Sequence, residues 1–205
     1  MGLSSRLLGE LRDAGVRFSR RLKYRGAGTV EFLVDTERDC FYFLEMNSRI
    51  QVEHPVTEAV TGVDLVAEQI AIANGEGLRF AQANVRLRGH AIECRINAED
   101  PAQDFRPSPG RVSVATWPSG PGIRVDTHIE AGSTVPPFYD SLLGKLIVHG
   151  PDRAAALAVL ERALAATHIE GVATNRAFHQ RVLATPEFRL GGVDTGFVAR
   201  LGASG

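Results

Sequence analysis

The chain has 205 residues, of which 44% are hydrophobic and 23% are charged, and its formal net charge is -1. These values are typical of a soluble protein with one or two compact units, and the near-zero charge argues against nucleic acid and anionic membranes as partners. No apolar run approaches the roughly 20 residues that span a bilayer, and the spacing of the two cysteines fits neither a zinc site nor a disulfide framework. We therefore expect a cytoplasmic protein with reduced thiols and no membrane contact.

The first part of the chain predicts helices around a β-hairpin. Apolar residues at helical spacing predict a helix over 5–23, and glycines then precede two segments typical of strands, 29–34 and 41–46. A polar turn separates these two segments, so we expect them to pair as a hairpin. A short helical turn at 56–60 and a helix over 63–74 follow.

The second part predicts strands joined by Pro- and Gly-rich loops, with helices set apart, after a boundary near Val85. The expected strands are residues 90–97, 111–116, 122–128 and 144–149. The expected helices are residues 152–166, with Asp152 as the N-cap, and residues 174–183. Strands in hairpins with segregated helices predict an α+β fold rather than alternating βαβ units.

Two glutamates are expected to face each other across the hairpin. If the turn centres near Arg38, Glu31 pairs with Glu45, and cross-strand partners share one face of a sheet. Like charges directly opposite each other destabilise a hairpin. A divalent cation would relieve the repulsion, and oxygen ligands of this kind suit Mg²⁺.

Polar residues continue at alternate positions beyond this pair. The odd-numbered positions hold Glu45, Asn47, Arg49, Gln51 and Glu53. An extended segment would present them on one face, where a guanidinium can hold a planar oxyanion and a carboxylate can act as a general base. The alternative is a solvated face of an edge strand with ordinary ion pairs. The residues alone favour a metal and oxyanion site without naming a substrate.

Several long runs resemble the signature sequences of biotin carboxylases. These runs are residues 24–29, 45–58, 89–100, 107–110 and 139–145. The resemblance covers about residues 24–195. It implies the C-terminal half of an ATP-grasp domain at residues 1–84, followed by the mainly antiparallel biotin carboxylase C-terminal domain at residues 85–200.

The resemblance implies which residues serve the two ends of the reaction. Glu31, Glu45 and Asn47 match the residues that hold Mg²⁺ (or Mn²⁺) on the phosphates of ATP. Arg95 matches the residue that stabilises the enolate of biotin. Asp140 matches a position near the biotin pocket, where we expect a supporting role.

Bicarbonate is implied to lie between these ends. Arg49, Gln51 and the backbone of Val52 match its contacts, and Glu53 matches the base that deprotonates it for attack on ATP. We expect His54 to make a structural hydrogen bond rather than to act as a catalyst.

The lid and the ATP-contacting lysines that precede these motifs in the family have no counterpart here, where the lysines are Lys23 and Lys145. We therefore expect the chain to be inactive alone in the ATP- and bicarbonate-dependent carboxylation of biotin through carboxyphosphate. The implied partners are the missing N-terminal half of biotin carboxylase, a separate biotin carboxyl carrier protein or domain, a carboxyltransferase subunit and a second copy in a homodimer.

Two alternatives stay open at this point. One is a non-catalytic binding or dimerisation module that retains the fold. The other is a different ATP-grasp ligase, against which the run at residues 93–100 argues. The final carboxyl acceptor, such as acetyl-CoA, propionyl-CoA or pyruvate, is left undetermined.

Overall fold

The computed structural model describes residues 3–203, which form two compact units. The first unit contains Met1–His54 and Gly62–Val85, and the second contains Pro55–Thr61 and Arg86–Gly205. The second unit therefore takes one short segment from within the sequence of the first. The assignment of residues 1–84 and 85–200 to two family domains stays a prediction, and residues 1–2 lie outside the described part of the chain.

The described residues form helices and mainly short strands, in agreement with the predicted α+β class. The helices are α1 Ser5–Arg21, α2 His54–Thr61, α3 Leu65–Ala73, α4 Arg153–Ala166, α5 Arg176–Ala184, α6 Pro186–Leu190 and α7 Phe197–Ala203. The strands are β1 Thr29–Asp35, β2 Cys40–Asn47, β3 His90–Asn97, β4 Glu99–Asp100, β5 Arg106–Pro107, β6 Gly110–Arg111, β7 Val114–Thr116, β8 Ile123–Thr127, β9 Thr134–Val135, β10 Leu142–Gly150 and β11 His168–Glu170. All of their ladders are antiparallel. Within residues 3–203, no helix has both the length and the apolar character needed to cross a membrane.

Helix α1 confirms the predicted N-terminal helix and ends slightly before the predicted position. Ser4 Oγ accepts a hydrogen bond from the backbone N–H of Leu7 at 3.1 Å, which caps the first turn. Leu7 is buried, while basic residues occupy the last turn, where cations interact favourably with the helix dipole. Lys23 has a φ of 51°, a left-handed conformation that cannot continue the helix.

Strands β1 and β2 form the predicted hairpin with one irregularity. Glu31 pairs with Glu45, as the alternation predicted, but the register then shifts and Phe32 pairs with Phe43. Leu44 is therefore the extra residue of a β-bulge. The single turn centre assumed from the sequence is wrong for the distal half of the hairpin, because it took the cross-strand register to be constant along both strands.

The second unit is organised around β10, which pairs with β3 on one side and β8 on the other. Helix α4 packs on one face of this sheet, and Leu146, Val148, Leu160 and Leu164 are completely buried between them. Asp152 Oδ1 accepts from Ala155 N at 2.8 Å, which confirms the predicted N-cap of α4. Apolar contact on both sides makes this layer the main hydrophobic core of the second unit.

The predicted strand over residues 111–116 is two short strands with different partners. Val112 N donates to the carbonyl of Ser133 at 2.9 Å, and Ser113 N donates to the carbonyl of Glu170 at 2.9 Å. The backbone thus leaves β9 and joins β11 within two residues. Local sequence could not show this change, because both partners come from distant segments.

The turn after β11 predicts a strong effect of one glycine on stability. Gly171 has a φ of +96°, and an added Cβ would collide with the carbonyl oxygen of Arg111 and lie 2.9 Å from Ser113 N. Gly171→Ala should therefore lower the free energy of unfolding by more than about 2 kcal/mol. Urea denaturation followed by the fluorescence of Trp117, which packs against the core of the second unit, measures the change.

Gly192→Ala is the matched control, because an added Cβ there meets nothing within 4 Å. Its effect should stay within about 0.5 kcal/mol. Equal effects of the two substitutions would contradict the steric argument.

Candidate functional site

The two paired glutamates lie on one face of the hairpin with an amide between them. Asn47 Nδ2 donates to Glu31 Oε1 at 2.8 Å and to Glu45 Oε1 at 3.1 Å. One amide group thus bridges two carboxylates that would otherwise repel each other. The three residues predicted to hold a metal are brought together.

This donor set fits a hard divalent cation. Both carboxylates direct an oxygen at the same amide nitrogen, so a cation at that position would have Glu31 and Glu45 as ligands, with Asn47 Oδ1 joining after the amide rotates. Oxygen donors of this kind are those that Mg²⁺ and Mn²⁺ prefer. Residues 3–203 contain no group of three or more His, Cys, Asp or Glu side chains placed to hold a metal.

Arg49 extends this group along the chain. Its Nη2 donates to Asn47 Oδ1 at 3.4 Å and its Nη1 donates to the carbonyl of Ile50 at 3.1 Å. The side chain is exposed. An exposed guanidinium beside metal-type carboxylates is well placed to hold an oxyanion, since it offers several donors in one plane.

The predicted extended row does not continue through the rest of the motif. Strand β2 ends at Asn47, Val52 and Glu53 form a turn, and α2 begins at His54. The continuous polar face over residues 45–53 is therefore wrong, and the helical turn predicted for 56–60 starts two residues earlier. His54 Nδ1 lies 2.8 Å from the carbonyl oxygen of Gln51, which confirms the predicted structural hydrogen bond.

The turn still keeps Gln51 next to the hairpin. Thr29 Oγ1 donates to Gln51 Oε1 at 3.0 Å, and Thr29 pairs with Asn47 across the strands. Gln51, which lies beyond the end of β2, is thus held by β1. Val52 and Glu53 are exposed in the following turn.

The two remaining predicted residues belong to the second unit. Arg95 lies on β3 with an exposed side chain, and its Nε is 4.0 Å from Glu93 Oε1. Asp140 Oδ1 accepts from Leu142 N at 2.8 Å, immediately before β10 begins. The hydrogen bond of Asp140 shapes the loop that enters this strand.

Arg95 shares its sheet face with a charged network that the sequence reasoning missed. Lys145 lies opposite both Arg95 and Asp126 in the strand register, and its Nζ is 3.5 Å from Asp126 Oδ2. Arg124 donates through Nε to Asp126 Oδ1 at 2.7 Å and through Nη1 to Glu58 Oε2 at 2.6 Å. The sequence does hold one signal for this network: Arg124 and Asp126 are two residues apart in a predicted strand, so their side chains share one face.

The network changes the proton affinity of its members. Burial raises the pKa of Asp126, but the hydrogen bond and charge of Arg124 and the charge of Lys145 outweigh it, so the pKa lies below its usual value. The pKa of Arg124 is raised, chiefly by its hydrogen bond to Asp126. Both groups are therefore charged at neutral pH.

Comparison with known proteins identifies the family. A family model described as the biotin carboxylase C-terminal domain matches residues 93–200, and one described as the carbamoyl-phosphate synthase L chain, ATP binding domain, matches residues 1–81. The chain belongs to the biotin carboxylase family. This match confirms the resemblance predicted from the sequence runs. Members of the family are ATP-dependent ligases.

Curated biotin carboxylases are similar over nearly all of this chain. The chain is 56% identical to the biotin carboxylase of Nostoc sp. and 51% identical to the chloroplastic biotin carboxylase of Arabidopsis thaliana, in each case over 97% of its length. It spans 44% and 37%, respectively, of the lengths of these two relatives.

Solved biotin carboxylase structures share the fold. The biotin carboxylase domain of Hydrogenobacter thermophilus 2-oxoglutarate carboxylase, solved as a dimer with MgADP, ADP and bicarbonate, matches with a TM-score of 0.90 at 42% identity. The biotin carboxylase of Campylobacter jejuni, in a β-γ-ATP complex, matches with a TM-score of 0.88 at 40% identity. Each match covers 97% of this chain and 44% of the other.

The paired carboxylates predict a substitution that strengthens the hairpin. Glu45→Gln removes one charge of the pair and keeps the acceptor for Asn47, so the hairpin should gain about 0.5 kcal/mol in the absence of divalent cations. Hydrogen exchange of the β1 and β2 amides measures the gain as roughly twofold slower exchange. Glu37→Gln, in the exposed turn, is the control; an equal change there would contradict the pairing argument.

The depressed pKa of Asp126 predicts a pH-dependent contribution to stability. A carboxyl with a lower pKa in the folded state stabilises the protein above its unfolded pKa of about 3.9, and the contribution is lost as the pH falls through the folded pKa. Asp126→Asn should cost about 1 kcal/mol at neutral pH, and the difference from the unchanged chain should shrink as the pH falls below about 3.9, the unfolded pKa. Urea denaturation over this pH range tests it, and a difference independent of pH would contradict it.

Proposed function

We propose that this chain supplies the metal, bicarbonate and biotin residues of a biotin carboxylase. Combined with a further part of that enzyme, it would carry out the ATP- and bicarbonate-dependent carboxylation of biotin on a carrier protein through carboxyphosphate. The contact of Asn47 with both Glu31 and Glu45, beside the guanidinium of Arg49, carries this proposal.

The first half of the reaction needs negative charge to be offset while phosphate moves to bicarbonate. Glu31, Glu45 and Asn47 would hold Mg²⁺ or Mn²⁺, which when bound offsets the charge of the ATP phosphates. Arg49 would hold bicarbonate with Gln51 and the backbone of Val52, as a planar guanidinium suits a planar oxyanion. Glu53 would accept the proton that bicarbonate loses as its oxygen attacks the γ-phosphate.

The second half needs a cation for the enolate of biotin. Carboxyphosphate would break down to carbon dioxide and phosphate, and the phosphate can accept the proton of the ureido nitrogen. The negative charge then moves to the ureido oxygen, where a fixed guanidinium stabilises it while the nitrogen attacks carbon dioxide. Arg95 would provide this group, with Asp140 in a supporting role. Lys145, opposite Arg95 in the strand register, adds a second cation to the same sheet face.

The packing of the first unit supports the need for a further part of the enzyme. Among its described residues, the buried hydrophobic ones are Leu7 and Ala71, while Leu33, Phe43 and Leu44 are half exposed or more. A two-stranded hairpin is at best marginally stable in water by itself, so it depends on what packs against it. A groove of about 1350 Å³ between α1 and β1 adds apolar surface. The part of the related enzymes that this chain does not match would cover this surface.

The family also suggests the partners. We propose that biotin is attached to a separate carrier protein or domain and that a carboxyltransferase uses the carboxylated biotin. We further propose that the protein forms a homodimer in the cytoplasm. The final carboxyl acceptor would be chosen by the carboxyltransferase.

A non-catalytic binding or dimerisation module is the second candidate. The observation that favours it is the contrast between the units: the second has a buried core of its own, whereas the first offers mainly exposed apolar surface. Such a module would use that surface for a partner and would not need the site residues.

Complementation separates the two candidates. The purified chain should show no ATP-dependent carboxylation of free biotin from labelled bicarbonate, and mixing it with the part of the Nostoc enzyme that it does not match should produce activity. Glu53→Gln should lower the restored rate by about 10²-fold or more, because the base is lost. Glu37→Gln, in the exposed turn, should leave it unchanged.

Two results would contradict parts of this proposal. Turnover by the chain alone would support the activity but contradict the need for a second part of the enzyme. A stable complex that shows no carboxylation, either with the unchanged chain or with Glu53→Gln, would favour the non-catalytic module. Titration of MgATP into the chain by calorimetry gives a first indication, since detectable binding is expected only for the complex.

A further inference from the structure

The outer edge of β3 is closed by side chains at the position of Arg95. Strand β3 is an edge strand of the sheet β3-β10-β8, so its outer backbone groups lack a strand partner. Asn175 Nδ2 donates to the carbonyl of Arg95 at 3.1 Å, and Asn175 Oδ1 accepts from Asn97 N at 3.0 Å. His179 Nε2 donates to the same carbonyl of Arg95 at 2.9 Å. These two side chains satisfy the backbone on both sides of Ile96.

The pattern imitates a neighbouring strand. One amide bonds the carbonyl before Ile96 and the N–H after it, and the backbone N–H of Asn175 adds a bond to the carbonyl of Asn97 at 3.2 Å. Ile96 is completely buried, so the side chains of Arg95 and Asn97 project from the opposite face of the strand. The backbone from which the Arg95 side chain starts is therefore held along both edges of the strand: by β10 on one edge, and by Asn175 and His179 on the other.

Asn175 makes these bonds in place of the one that its position favours. It occupies the N-cap of α5, where an asparagine side chain normally accepts from a backbone N–H of the first turn. Here its side chain makes no capping hydrogen bond. Asn175 is buried, and its amide is directed to β3 instead. The strand position is thus stabilised at the expense of the helix end.

His179 contributes a donor of fixed tautomer. Burial lowers its pKa, against the raising effect of its bond to the Arg95 carbonyl, so the ring is neutral at neutral pH. A carbonyl oxygen only accepts, so Nε2 must carry the proton. The ring lies one helical turn after Asn175, which places both donors on the same face of α5.

We propose that Asn175 and His179 are positioning residues for Arg95, holding the backbone of β3 so that its guanidinium meets the developing charge on biotin. This rests on the proposed function, in which Arg95 acts on the enolate. A misplacement of about 1 Å in such a group costs about 10²-fold in rate, so a fixed starting point for a long side chain matters.

The first test needs no activity. In the isotope-labelled chain, the arginine Nε–Hε signal of Arg95, assigned by its loss in Arg95→Lys, reports the order of this side chain by NMR relaxation. His179→Leu should lower that order, while His179→Gln, whose amide nitrogen can replace Nε2, should keep it. The Nε–Hε signal of Arg124, bonded to Asp126 on the same sheet, should not change in either variant.

The second test uses the complemented enzyme with free biotin. His179→Leu should lower kcat for biotin carboxylation about 10-fold, with His179→Gln within about 2-fold. ATP hydrolysis with bicarbonate and without biotin should stay unchanged, because Arg95 acts after that step. In an Arg95→Ala background, His179→Leu should have no further effect, since positioning acts only through Arg95. Asn175→Asp, which keeps the acceptor for Asn97 and loses the donor, should behave as His179→Leu does.

The outcomes separate the inference from the function on which it rests. Unchanged Arg95 order in His179→Leu, loss of order in Arg95 and Arg124 together, or additive losses in the Arg95→Ala background would each overturn the positioning assignment. If the unchanged chain gives no activity with the added part, the proposed function fails, and the NMR comparison still decides whether Arg95 is positioned.

Discussion

The burial of β10 is the constraint around which the second unit is built. Every residue from Leu143 to Val148 is buried, and the strand pairs on both edges, so neither its backbone nor its side chains can move without breaking several contacts. On one face it supports α4 through a dry apolar layer. On the other face the same strand carries Lys145, a buried lysine tolerated because Asp126 lies 3.5 Å away. A rigid apolar layer thus holds a charged surface in place.

The first unit follows the opposite physical arrangement. Its hairpin places Glu31 and Glu45 in direct opposition, an unfavourable pairing that a purely structural hairpin would avoid. The amide of Asn47 donates to both carboxylates, and the guanidinium of Arg49 lies beside it. Opposed carboxylates on an open, weakly packed hairpin form an oxygen donor set of the kind that hard divalent cations prefer.

The charged face of the second unit shows how one residue can be set by elements distant in sequence. Arg95 receives its position from β10 along one edge of its strand and from α5 along the other. On the same face, Arg124 forms ion pairs with Asp126 and Glu58, while the side chain of Arg95 stays exposed. Positioning and charge balance are therefore separate tasks, carried out by different residues.

The sequence by itself determined the local features of this protein: the helix that begins after Ser4, the pairing of Glu31 with Glu45, the cap at Asp152 and the family runs. Each depends on spacing within a few residues or on one short turn, which a linear pattern records. Tertiary structure alone decided the bulge at Leu44, the turn at Val52–Glu53, the split of the strand over 111–116 and the bonds from Asn175 and His179 to Arg95. The bulge is a register shift, and the split of the strand and the bonds to Arg95 join distant segments, in the last case about 80 residues apart. The energies of such contacts come from packing that no local pattern encodes.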